Sequence, residues 1–281
     1  MLNLGRCARR RPRGLRAPLV AALLGGVVSL FSAAGICAQA PPPYTYNSPR
    51  ELNQVVSSIT LYPDSLLSQV LAAATFPDEI SGAAEWADTH HRLTGKDLAA
   101  AIAEDHLPWD GSVQALLPFP SVLEMMAGDM DWTTNLGGAF MAQRADLMDS
   151  IQETRRRARS YGYLSSNSQV IVSAGPYVEI SPVNPALVAV PRYDSTVVFA
   201  APKHAVRVHK AITFSSGVKL GRPFLPWGWG VSRFHWAQHD VFTHRPASRY
   251  EPQDRREMHE LSPRTPPERE QENLCATCGP S

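Results

Sequence analysis

The spacing of hydrophobic residues changes once along this chain, near residue 161, and that change constrains its architecture more than any other feature. Before it, apolar side chains recur at helical intervals: Leu66, Leu67, Val70 and Leu71 share a face, as do Ile80, Ala83 and Ala84, then Leu98, Ala101 and Ile102. After it come short β-rich runs, Gln169 to Val172, Tyr177 to Ile180, Leu187 to Val190 and Thr196 to Phe199, separated by clusters of Gly, Pro and Asp. The pattern predicts an α+β fold, mainly α. A compact multi-helix domain over 50–162 is followed by a small antiparallel β segment over 163–201. The strands are too few to hold a core of their own, so they are expected to pack on the helices.

Local signals set the helix boundaries. Ser48, Pro49 and Glu51 spell a helix start, with a capping hydroxyl, proline at the first position and an acid three residues after the serine. Pro77 opens another helix, Thr94 with Asp97 caps a third, and Asp110 starts a short one that Pro118-Phe119-Pro120 ends. Asp131 is expected to cap the longest pattern, in which Trp132, Leu136, Phe140, Leu147, Met148 and Ile151 hold one apolar stripe.

The first forty residues belong to a different class. They carry six arginines and no acid, and the arginines precede an apolar run from Ala17 to Ile36 and an A-x-A site at Ala38-Gln39-Ala40. That order of charge, apolar run and small residues is an export signal, placing the mature chain in the periplasm or outside the cell. An uncleaved segment anchored in the inner membrane is the alternative, because the run approaches the roughly 20 residues that span a bilayer. A Pro-rich linker, 41–49, follows. Without the first forty residues the chain holds 21 basic and 26 acidic side chains, an acidic balance that argues against nucleic acid as a partner.

Residues 202–281 hold nine prolines, twelve Lys+Arg and eight Asp+Glu, with little periodic apolar content. Such composition struggles to offset its ordering entropy, so a flexible tail is expected, interrupted by an aromatic patch at Trp227, Trp229, Phe234 and Trp236.

Three stretches in order carry a resemblance: SSITLYPDSLLSQVLAAATFPDEISGAAEWA from Ser57, WDGSVQALLPFPSVLEMMAGDMDWTTNLGGAFMAQRADLMDSIQETRRRA from Trp109, and VEISPVNPALVAVPRYDSTVVF from Val178. Together they resemble DUF3300, an exported bacterial domain of unknown function. The resemblance implies an envelope protein with helices followed by short strands, and it supplies no activity, cofactor or catalytic residue to carry over. The tail departs from the longer Gly/Trp-rich and Asn/Arg-rich region of that family.

Candidate sites follow from residue chemistry. Arg155, Arg156 and Arg157 close the long helix, where cations suit the helix dipole or could touch an anionic surface. They are binding candidates, with Trp227 and Trp229. For a metal, the tail offers His235, His239 and His244 together with Cys275 and Cys278, which an oxidising compartment could instead close into a local disulfide. Trp86, Trp109, Trp132 and Tyr62 could line a groove or fill the core. The acids Asp64, Asp78, Glu79, Asp110 and Asp131 sit where helix starts favour them, which leaves no obvious catalytic pair. No GxSxG, Walker or Rossmann pattern occurs. The expectation is a non-enzymatic binding or scaffolding module without a cofactor, whose partner is an envelope protein, a glycan or an anionic membrane surface. The alternatives are a carboxylate-dependent cell-wall hydrolase and tail-mediated transition-metal binding.

Overall fold

Ser48 accepts from the Glu51 backbone N–H while Glu51 Oε2 accepts from Ser48 N at 2.7 Å, so α1 (Pro49–Val56) starts on the reciprocal cap expected of it. The computed structural model describes residues 46–202 and 211–242. The expected signal segment 1–40, most of the expected linker, His244, Cys275 and Cys278 lie outside the described residues.

Seven further helices follow α1: α2 (Asp64–Ala73), α3 (Pro77–Thr89), α4 (Gly95–Glu104), α5 (Gly111–Ala115), α6 (Pro120–Gly128), α7 (Met130–Ala142) and α8 (Arg144–Ser160). Proline occupies the first position of α3 and α6, where its missing N–H costs nothing. Asp110 caps α5 through the Ser112 N–H at 2.8 Å. Two expected caps differ. Thr94 precedes α4 without a side-chain bond, and α7 is capped by Asp129, which accepts from Trp132 N at 2.9 Å, rather than by Asp131.

The long helix expected from Asp131 onward is two helices. Gln143 leaves helical geometry (φ −131°, ψ 39°), and its side-chain amide takes both the N–H and the C=O of Asn47, at 2.7 and 3.0 Å. Apolar spacing continues across the break, so the period alone could not reveal it. Tying down the entering strand of chain is the local gain that accompanies the bend.

Helix α2 is central: α5, α7 and later segments pack around it, while α1 lies along α8 and α3 along α6. Its approach to α7 is close enough to require glycine. A Cβ on Gly137 would sit 2.0 Å from the Ala74 carbonyl oxygen, backbone that cannot swing aside. Gly137→Ala is therefore expected to cost about 1–3 kcal/mol or more by forcing the helices apart. A urea midpoint unchanged from wild type would contradict this packing.

Strands β1 (Val170–Ala174) and β2 (Val178–Pro182) form an antiparallel hairpin in the register Val172↔Ile180. The buried Gln152 clamps β2, accepting from Val178 N at 2.8 Å and donating to Val178 O at 3.2 Å. The run at Thr196 is not a strand. It forms the short helix α9 (Ser195–Val198), because Asp194 accepts from both the N–H and the hydroxyl of Thr196, and that local cap outweighs β-branched preference.

The strands β3 (Leu187–Val188) and β4 (Pro191–Tyr193) find their partners beyond residue 201: β6 (Val218–Lys219) pairs with β3 and β5 (Ile212–Phe214) with β4. The fold thus extends through 211–242, past the boundary expected at 201. A 3-10 turn over Arg222–Trp227 leads to β7 (Arg233–His235) and β8 (Asp240–Phe242), and β7 lies against α2. Gly228 and Gly230 adopt left-handed backbone (φ 85° and 90°), a conformation that favours glycine on either side of Trp229. Trp227, Trp229 and Trp236 are only 9, 3 and 4% exposed and belong to the main hydrophobic cluster. Among the described residues no helix is long and apolar enough to cross a membrane.

Candidate functional site

The binding candidates from the sequence divide sharply on burial. Arg155 is fully buried at 0% exposure, and Trp227 and Trp229 face inward, so these three hold the fold together and are not a contact surface. The reason lies in α8, which is covered on this face by the α1–α2 connection and by β2. Arg155 Nε donates to Thr60 O at 2.8 Å, Nη2 to Tyr62 O at 3.0 Å, and Nη1 to both Val178 O at 2.9 Å and Asp64 Oδ1 at 2.6 Å. The guanidinium also lies 5.2 Å from the centre of the Trp236 ring, a cation–π contact. Burial pushes the Asp64 carboxyl above its ordinary range, opposed by the neighbouring Arg155 charge. Asp64 is therefore more than a first-turn acid. Arg156 is exposed, and Arg157 is partly exposed and paired with Glu153.

Tail aromatics fasten the last described segment to the helices. The Trp227 indole donates to Gln114 Oε1 at 2.9 Å, the Trp229 indole to Ala115 O at 3.0 Å, and Gln69 Nε2 to Ser232 Oγ at 2.8 Å. His239 sits 3.0 Å from Asp149, while the His235 ring packs against Phe242. Among the described residues no group of three or more His, Cys, Asp or Glu could hold a metal ion.

The other aromatic candidates are part of the packing. Trp86, Trp109 and Trp132 are partly buried against the main cluster, Trp86 Nε1 donating to Asp105 at 2.7 Å and Trp132 Nε1 to Val55 O at 2.8 Å. Tyr62 is buried, and its hydroxyl is pushed up to about 12; burial raises Tyr193 further, its hydroxyl donating to Ser57 O at 2.9 Å. Both phenols stay protonated in the folded state where the unfolded chain would already ionise near pH 10. The Tyr62 contribution is complete below about pH 10 and is lost as pH rises through about 12, and that of Tyr193 is lost at higher pH still. Denaturant midpoints should fall across that window, and two of the chain's eight tyrosines should ionise only as helical signal disappears. All eight ionising while helical signal is retained would refute the burial argument.

Of the carboxylates, Glu79 and Asp110 come nearest to a pair. Glu79 Oε2 accepts from Asp110 N at 2.6 Å, and burial raises the Glu79 carboxyl, helped by the charges of Asp110 and Asp78. Yet Asp110 is committed to capping α5 and Glu79 to the backbone that precedes it.

A cavity also lies among the described residues, and nothing in the sequence pointed to it. It measures about 380 Å³ and opens between the end of α3, the start of α4, the α5–α6 connection and β6. That volume lies at the small end of the roughly 300–1,000 Å³ typical of small-molecule sites. Leu98, Leu117, Pro118, Pro120 and Val218 supply apolar wall. The polar lining is His90, His91, Thr94 and Lys219, with no carboxylate, serine or cysteine among the lining residues. His90 Nδ1 lies 2.8 Å from Trp86 O, and His91 Nδ1 bonds Asp88 O. A carbonyl can only accept, so each Nδ1 carries the hydrogen, and among the described residues neither Nε2 has a hydrogen-bond partner. Stacking of His90 on Trp86 at 3.9 Å fixes that ring in place. The adjacent histidines were visible in the sequence, but Lys219 meets them only because β6 returns to pair with β3, more than a hundred residues later.

Comparison with known proteins adds the following. The domain described as a protein of unknown function, DUF3300, matches residues 48–271. The chain is 32% identical over 185 residues to uncharacterized protein YacH of Escherichia coli, a match covering 54% of this chain and 30% of that relative. The chain thus spans less than a third of the length of the relative it matches. No solved structure matches it.

Proposed function

The chain belongs to the DUF3300 family, and on that premise we propose that it is a non-catalytic binding module of the cell envelope whose ligand occupies the cavity between α3, α4 and β6. The observation that carries this reading is the lining: a small-molecule-sized hollow with apolar walls and basic side chains, and no carboxylate or nucleophilic serine or cysteine. The carboxylate pair that glycoside hydrolysis requires is absent from this lining. An envelope address is supported by the arginines and apolar run of the first forty residues. Purified protein should therefore take up a component of fractionated envelope extract and return it chemically unchanged.

A second reading, a carboxylate-dependent hydrolase, is favoured only by Glu79 with its raised carboxyl beside Asp110. It predicts release of sugar or peptide from a cell-wall digest, abolished in Glu79→Gln. That result would displace the binding module.

A further inference from the structure

We infer that the cavity takes a small amphiphile with a single anionic head and an apolar body. The inference rests on the binding-module reading and specifies the ligand of the same site.

Charge complementarity carries it. No acidic residue lines the hollow, while Lys219 lines its lip from the exposed side of β6. Among the described residues the Lys219 ammonium makes no ion pair. A cation with no partner beside an apolar hollow selects for an anion attached to apolar mass, since a free inorganic ion would leave the walls wet. The Nδ1 hydrogens of His90 and His91 are spent on backbone carbonyls, which holds both rings in one orientation and leaves the charge contact to Lys219. The apolar wall is built from Leu98, Leu117 and prolines 118 and 120, which hold their shape without a ligand because three of the four sit on or beside helix ends. An amphiphile with a cationic head would meet Lys219 with like charge, and one with a neutral head would leave that charge unanswered. Size sets the remaining limit, for 380 Å³ accommodates a medium-length chain and not a two-chain lipid.

The test is calorimetric titration of the whole protein with decanoate, decanol and decyltrimethylammonium, the three probes sharing one chain length. Decanoate should bind about five-fold or more tightly than decanol, the size of one partly exposed charge contact, and the ammonium probe should bind weakest. Lys219→Met should remove that five-fold advantage while leaving decanol affinity unchanged, and Lys219→Glu should reverse the order of decanoate and the ammonium probe. Because Lys219 is exposed, both variants should keep the wild-type melting temperature. Equal affinity for decanoate and decanol, or indifference of decanoate to both Lys219 variants, would overturn the inference. If none of the probes binds while an envelope component is still taken up unchanged, the anionic-amphiphile assignment fails and the binding module stands. Release of a cleaved product from envelope material would instead defeat the module itself.

Discussion

Arg155→Met should destabilise the protein by about 3–5 kcal/mol, the cost of removing one partner from a buried ion pair. Methionine fills much of the volume of the arginine stem, so the loss would come from charge and hydrogen bonding and not from a cavity. The carbonyls of Thr60 and Tyr62 would lose the Arg155 donor, Val178 O would keep only Gln152 Nε2, and Asp64 would keep a partly buried carboxyl with no counter-ion. Arg155→Lys should fail almost as badly, because an ammonium cannot serve four acceptors that match a planar fork. The informative control is Asp64→Asn combined with Arg155→Met. Removing both charges should cost less than the sum of the two single changes, since the isolated carboxylate is then gone. The measurement is a urea midpoint at constant slope for each variant. Strict additivity would show that the pair is incidental.

The second large effect lies where the sequence reading expected a loose tail. Trp229→Ala should cost about 3–5 kcal/mol, the range for truncating a buried large aromatic. Its indole sits at 3% exposure, 5.2 Å from the Phe119 ring, with its N–H on Ala115 O. A chain ended at residue 201 should lose more, because β3 and β4 would lose their partners and α2, α5 and α8 would expose the faces now covered by Trp227, Trp229 and Trp236. Thermal melts of the Trp229→Ala protein and the shortened chain beside the full chain decide it. An unchanged melting temperature after truncation would mean that residues 211–242 contribute nothing to the fold.

The helical half was legible because its signals are local. Ser48 with Glu51, Pro77 and Asp110 each act within one turn, and the apolar faces of α2 and α3 repeat often enough to stand above noise. The segment from 211 to 242 offered no such signal. Its strands are two or three residues long and its anchors are single tryptophans, so their burial depends on surfaces supplied by α2 and α5. The same limit explains Arg155. In sequence it is one of four closely spaced arginines, and only the path of the α1–α2 connection and β2 distinguishes it from Arg156 and Arg157.

By itself the sequence determined the starts of α1, α3 and α5, the change to short strands after residue 161 and the family to which the chain belongs, for each is written in residues a few positions apart or in an ordered set of motifs. Tertiary structure alone decided which arginine is interior, where the fold stops and which side chains meet at the cavity. Those depend on contacts between segments about ninety to more than a hundred and fifty residues apart, and the free energy of such a contact belongs to the pair of surfaces and not to either stretch of sequence.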